Sequence, residues 1–148
     1  MLQDFLSPIN ATRFEPENGY NTSQLGAKII CHQNSFPDLA NAQLAIIGVL
    51  EDRKAIQNEG CANGVEQIRA FLYQLNEGDF NSKIVDLGNI LPGETIEDTY
   101  FAVSRVIEEL VKNEIIPIIS SEEEFSLYFD LSLGTIVHDL LKENIERE

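Results

Sequence analysis

The sequence predicts a small α/β domain of three layers, with helices packed on both faces of a small, mainly parallel sheet. Three short apolar runs, typical of strands buried on both faces, alternate with two segments of helical periodicity. A length of 148 residues and a hydrophobic content of 43% suit one packed domain. We expect an irregular segment over 1–40, a βαβαβ core over 44–120 and a helical segment over 121–148.

The first forty residues have no clean period and are rich in Asn, Ser, Pro and Gly. Such a stretch predicts an irregular segment, with a short strand between Leu25 and Cys31. We expect it to pack on the core through its larger apolar side chains, which are Phe5, Ile9, Phe14 and Tyr20.

The first strand of the core is the apolar run over 44–50, which ends at three charged residues, 51–53. Apolar side chains then recur at helical spacing, with Asn63 as N-cap and Glu66 three residues later. The predicted apolar face of this helix consists of Val65, Ile68, Leu72 and Leu75.

The second strand is predicted over 83–90, and the strongest helical pattern follows it. Thr95 and Asp98 form a capping pair, and Lys112 lies in the last turn, where its charge complements the helix dipole. The predicted buried face contains Ile96, Tyr100, Val103, Val106, Ile107 and Leu110.

The third apolar run, 115–119, predicts the last strand, with Pro117 near its start, where a ladder donor is dispensable. A final helix is expected over 135–145. Between Phe125 and Leu133 the pattern favours a helix slightly over a further strand.

The amino-acid composition and the N-terminal sequence indicate which binding partners and which cellular compartment to expect. Twenty-five acidic residues against ten basic ones give a formal charge of −15, which repels nucleic acid and anionic lipid. We therefore expect no nucleic-acid or membrane partner, whereas solubility or a basic partner fits the charge. With no secretion signal at the N-terminus, the expected location is cytoplasmic, and Cys31 and Cys61 are expected to be reduced thiols.

Polar residues follow each predicted strand. Glu51 and Asp52 follow the first, Asn89 ends the second, and Ser120 and Glu123 follow the third. Because the carboxyl ends of parallel strands meet at one edge of a sheet, these five residues form the candidate ligand crevice.

No catalytic residue or metal ligand is assigned. The consecutive acids 122–124 point in different directions, and acids in the first turn of a helix explain them better than a cation site does. The two histidines, His32 and His138, have no Cys or His at ligand spacing, and no nucleophile stands in a triad pattern.

Several segments, taken in order, resemble the arginase, agmatinase and formimidoylglutamase (ureohydrolase) family over about residues 1 to 130. Asp4–Ile9 also looks like the start of formimidoylglutamase-like members. The other segments are a strand ending in glycine, a helix with an Ile-Arg pair, an Asp-x-Gly turn and a strand with proline: Ala45–Val49, Gly64–Leu72, Asp86–Gly88 and Ile116–Ile119.

The resemblance implies an arginase-like half domain without the family's metal chemistry. Active members carry Gly-Gly-Asp-His-Ser after the third strand, and its histidine binds one of two manganese ions. This chain has Ser120–Glu124 there, with Glu123 in the place of the histidine, and it lacks the Asp-x-His-x-Asp and Asp-x-Asp motifs. We therefore expect no cofactor.

The leading hypothesis is a pseudoenzyme that binds a protein partner or copies of itself, because an open sheet edge tends to pair with another chain. The alternative is a formimidoylglutamase-like hydrolase of amidine or guanidine substrates, with a degenerate or composite manganese site. A third hypothesis is a small-molecule binder that uses the predicted crevice.

Overall fold

The computed structural model describes residues 1–53, 64–79 and 81–121, which form an α/β domain with a mixed five-stranded sheet and two helices. The predicted fold class is confirmed. The strands are β1 (Leu6–Ser7), β2 (Ile30–Cys31), β3 (Leu44–Val49), β4 (Ile84–Ile90) and β5 (Ile116–Ser120), and the helices are α1 (Gly64–Gln74) and α2 (Ile96–Lys112).

Strand β3 lies between β4 and β5 and is parallel to both, as the alternation of strands and helices predicts. The outer side of β4 pairs with β2 in parallel and with β1 in antiparallel orientation, which makes the sheet mixed. Strand β2 lies within the short strand predicted between Leu25 and Cys31, although Leu25–Ala27 forms a 3₁₀-helix instead. Strand β1 was not predicted, because its two residues are too few for a period of two to show in the sequence.

Helix α2 covers one face of the sheet and begins at the predicted capping pair. The Thr95 hydroxyl accepts a hydrogen bond from the Asp98 backbone N–H, and the Asp98 carboxylate accepts one from the Thr95 N–H. Lys112 lies in the last turn, as predicted. The core on this face contains Ala45, Ile47, Val49, Val85, Leu87, Val103, Val106, Ile107 and Leu110.

Helix α1 covers the opposite face, together with the N-terminal segment, where Ile9 and Phe14 are buried and Tyr20 packs beside them. The prediction for the face of α1 was wrong in part. The fully buried side chains are Val65, Arg69 and Tyr73, whereas Ile68 and Leu75 are 48% and 55% exposed.

The cause of this rotation lies in β4, which has a β-bulge. Ile46 pairs with Asp86 and Gly48 with Asn89, so β4 uses one residue more than β3 over this interval. Asp86 precedes the bulge and faces α1 together with its partner Ile46, and the extra residue turns Asn89 to the same face. Gly88 lies in the bulge with a φ of +89°, a conformation that favours glycine. The sheet under α1 is therefore polar, and the helix turns Arg69 toward it.

Five predictions lie outside the described residues. They are the N-cap Asn63, the reduced thiol of Cys61, the acids 122–124 with Glu123 among them, the segment 125–133, and the C-terminal helix over 135–145 with His138. They stay predictions.

Candidate functional site

The most buried charge of the domain is the guanidinium of Arg69, which forms an ion pair with Asp86 between α1 and β4. Neither side chain is exposed. Arg69 Nε donates to Asp86 Oδ2 at 2.8 Å, and Nη2 donates to Asp86 Oδ1 at 3.0 Å. The remaining donors reach the Gly88 carbonyl at 2.9 Å and Asn89 Oδ1 at 2.6 Å. This bidentate geometry is the strongest form of an arginine–carboxylate pair.

The carboxylate of Asp86 has two further donors. The Tyr73 hydroxyl donates to Oδ2 at 2.7 Å, and the Gly88 N–H donates to Oδ1 at 2.9 Å. Burial, together with Asp86, raises the pKa of the Tyr73 phenol, so Tyr73 keeps its proton and acts as a donor. Cys31 Sγ lies 3.2 Å from the same hydroxyl, and burial raises the pKa of this thiol. The polar groups of the cluster thus form hydrogen bonds with one another.

Gly48 makes room for the cluster. A Cβ atom at this position would overlap Asn89 Oδ1 and lie 2.7 Å from Val65 Cγ1 and 3.0 Å from Arg69 Nη1. The close approach of the guanidinium to β3 therefore requires glycine. Sequence reasoning passed over Arg69 as a site residue. Its spacing in the sequence could have indicated it. Arg69 lies four residues after Val65 and four before Tyr73, on a helix that is followed by an Asp-x-Gly strand end.

The structure divides the predicted crevice between the two faces of the sheet. Asn89 and Ser120 both pair with Gly48 in register and therefore point to the α1 face. Glu51 lies on the α2 side, where Arg53 Nε donates to its Oε1 at 2.8 Å. Hydrogen bonds from Arg53 lower the pKa of Glu51. Asp52 is half-buried, and Glu123 lies outside the described residues.

Arg53 joins the end of β3 to the start of α2. Its Nη1 donates to the carbonyls of Gly93 and Glu94 at 3.1 and 3.0 Å, and its Nη2 donates to Thr99 Oγ1 at 3.0 Å. Glu51 is thus the counter-ion of an arginine that fixes a loop, and its carboxylate points away from Ser120.

Ser120 is the one predicted crevice residue with a buried polar atom left unsatisfied. Its side chain is buried, and its Oγ has no hydrogen-bond partner among the described residues. An unpaired buried hydroxyl costs free energy in the folded state. Because no described residue satisfies this hydroxyl, Ser120 is a candidate contact point.

We expect Ser120→Ala to stabilise the domain by about 1 kcal/mol, because alanine removes an unsatisfied hydroxyl and leaves the strand unchanged. Chemical denaturation with urea measures the change. Ser7→Ala is the matched control, since the Ser7 hydroxyl donates to the Asn89 carbonyl at 3.2 Å, and its removal should not stabilise the domain. A loss of stability in Ser120→Ala would show that the hydroxyl has a partner.

An apolar groove runs beside the ion-pair cluster, between α1 and β5. Ile116 and Ile118 point to the α1 face of the sheet, since they pair with Leu44 and Ile46. They are 62% and 36% exposed, and no described residue covers this part of the sheet face. We call it the α1–β5 groove, with the two isoleucines of β5 as its floor.

The wall of the groove is one flank of α1. At 100° per residue, Ile68 lies on the flank opposite to that of Glu66, and Phe71 lies at its rim, 75% exposed. Glu66 faces the N-terminal segment, where Arg13 Nη1 donates to its Oε1 at 3.1 Å. That segment lies at the β4 side of the sheet, so the flank with Ile68 faces β5.

In the described ranges, no three His, Cys, Asp or Glu side chains lie close enough together to hold a metal ion. No helix in those ranges is long and apolar enough to cross a membrane. In comparisons with family models, with curated proteins and with solved structures, nothing matches the chain.

Proposed function

We propose that the chain is an arginase-like domain without metal chemistry that works by binding another protein. The observation that carries the proposal is the α1–β5 groove. Its floor and wall expose Ile116, Ile118 and Ile68 on neighbouring elements, and exposed apolar side chains grouped in this way are typical of a protein-interaction site.

The residues behind the family resemblance support the fold part of the proposal. Gly48, Arg69, Asp86 and Gly88 belong to one buried cluster, in which each fixes the position of another. A pattern that builds the core of a half domain can persist without catalysis. It therefore supports an arginase-like fold and carries no argument for activity.

The described residues at the strand ends do not fit a manganese pair. Such a site needs several carboxylates and imidazoles that converge on the metals. Here the Glu51 carboxylate is held by Arg53 on the α2 side, while Asn89 and Ser120 point to the α1 face. We derive no reaction step through manganese.

Site-specific photo-crosslinking in the cells that make the protein tests the binding function. Benzoylphenylalanine in place of Phe71, at the rim of the groove, is expected to give a discrete adduct with one protein. The same group in place of Phe101, which is 61% exposed on α2, is the matched control and should give none. Equal adducts at both positions, or none at Phe71, would contradict the proposal.

The hydrolase alternative is checked with the same purified chain. It predicts tight Mn²⁺ binding by calorimetry and manganese-dependent release of urea, ammonia or formamide from arginine, agmatine or formiminoglutamate. Manganese-dependent turnover of any of these substrates would overturn a non-catalytic role.

The unsatisfied hydroxyl of Ser120 favours one second candidate, a small-molecule binder at the strand ends on the α1 face. A thermal-shift screen with amino acids and guanidino compounds tests it. A ligand at this site should stabilise the wild-type chain and have a smaller effect on Ser120→Ala. Equal shifts for both chains would place the ligand elsewhere.

A further inference from the structure

We infer that the partner enters the α1–β5 groove as an amphipathic helix whose polar side is basic. The inference rests on the proposed protein-binding function and specifies the chemistry of the partner. Three features carry it: the shape of the uncovered face, the blocked edge of β5, and the charge of the chain.

The shape favours a helix. A parallel sheet is normally covered by helices on both faces, and α1 packs over Ile46 of β3 and Ile84 of β4. Over β5, where no described residue adds cover, the floor is formed by Ile116 and Ile118. Ile68 provides an adjoining apolar flank on α1. A second helix packed beside α1 would bury both surfaces at the usual interhelical distance of about 8–10 Å.

The edge of β5 disfavours a strand as the occupant. The Ile116 N–H donates to the Gln43 carbonyl at 2.9 Å, so this residue directs its backbone groups toward β3. Because backbone direction alternates along a strand, the next residue, Pro117, directs its backbone toward the edge that pairs with no described strand. Proline has no N–H, so the edge lacks a donor at this position. Pairing of a further strand is thereby weakened.

The charge argues for a basic partner over a second copy. The formal charge of the chain is −15, and two copies would meet against this repulsion. The groove residues named above, Ile68, Phe71, Ile116 and Ile118, are uncharged, and Glu66 of α1 forms an ion pair with Arg13 on the other flank. An apolar contact surrounded by a negative field selects a helix with an apolar stripe and Lys or Arg on its other side.

The test uses two synthetic helices of about 18 residues that share one leucine stripe. One has lysine on its polar side and the other has glutamate. Fluorescence anisotropy with the full chain should show binding of the lysine helix and at least about tenfold weaker binding of the glutamate helix. Binding of the lysine helix should weaken as salt is raised.

Three variants locate the site. Ile68→Ser in the wall and Ile116→Thr in the floor should each weaken binding of the lysine helix about tenfold, since each removes a contacted aliphatic group. Phe101→Ser on α2 is the control and should leave binding unchanged. Equal weakening in Phe101→Ser, or equal affinity for the two helices, would overturn the inference.

The crosslinking experiment separates failure of the inference from failure of the proposed function. A specific adduct at Phe71 combined with no preference for the lysine helix would leave protein binding in place and remove the basic helix. An adduct of twice the mass of the chain would identify a second copy, and it would also overturn the inference. A crosslink within one chain would overturn both.

Discussion

Asp86→Ala is expected to lower the free energy of unfolding by about 3–5 kcal/mol, because it leaves the Arg69 guanidinium buried without a counter-ion. Both side chains of the pair are fully buried, so water cannot replace the lost carboxylate in the folded state. The Tyr73 hydroxyl and the Gly88 N–H lose their acceptor as well. Denaturation with guanidinium chloride, followed by circular dichroism, measures the change.

A double-mutant cycle with Arg69→Met distinguishes the ion pair from simple loss of packing. Methionine fills part of the arginine volume and has no charge, so the double variant should be less destabilised than the sum of the two single variants. Glu108→Ala, which removes an exposed ion pair with Arg105 and Lys112, is the control and should cost at most about 1 kcal/mol. A loss in Asp86→Ala no larger than that of the control would show that the buried pair does not form.

Gly88→Ala is expected to have an effect of similar size, about 3 kcal/mol or more, for two reasons that add. At a φ of +89° an alanine is strained by about 1–2 kcal/mol. Its Cβ would also overlap the backbone carbonyl oxygen of Ser7, which belongs to β1. A backbone atom cannot move aside as a side chain can, so β1 must separate from β4.

Gly78→Ala separates the two causes. Gly78 has a φ of +68°, and a Cβ atom there would meet nothing within 4 Å, so this variant reports the strain alone. Hydrogen exchange should show loss of protection at the Leu91 N–H, which donates to the Phe5 carbonyl, in Gly88→Ala and not in Gly78→Ala. Equal free energies of unfolding for Gly88→Ala and Gly78→Ala would mean that the overlap with the Ser7 carbonyl does not affect stability.

The elements with agreeing signals could be predicted from the sequence. In α2, the Thr95 cap, the apolar stripe and Lys112 all indicate one helix, and the structure has it. In α1 the helix was predicted and its orientation was not. The apolar period indicated a buried Ile68, but the tertiary requirement of Asp86 for a counter-ion turned Arg69 inward. Hydrophobic periodicity reports only where apolar residues recur, so it does not indicate a buried ion pair.

The candidate site was predicted only from which polar residues follow the strands. This criterion does not distinguish the two faces of the sheet. It grouped Glu51 with Asn89 and Ser120, although the side chains leave the sheet on opposite faces. The face depends on register, and the register of β4 changes at its bulge. A bulge of one residue reverses every later side chain, and the sequence marks it only by Gly88.

The pairing of β1 and β2 with β4 has a consequence for the order in which the domain can form. Residues Leu6 and Ser7 find their partners at Ile90 and Asn89, and Ile30 finds its partner at Val85. Synthesis proceeds from the N-terminus, so the first two strands leave the ribosome with no sheet to join. Strand β1 therefore takes its native place only after the ribosome has made the chain through Ile90, and until then the nascent chain must avoid aggregation.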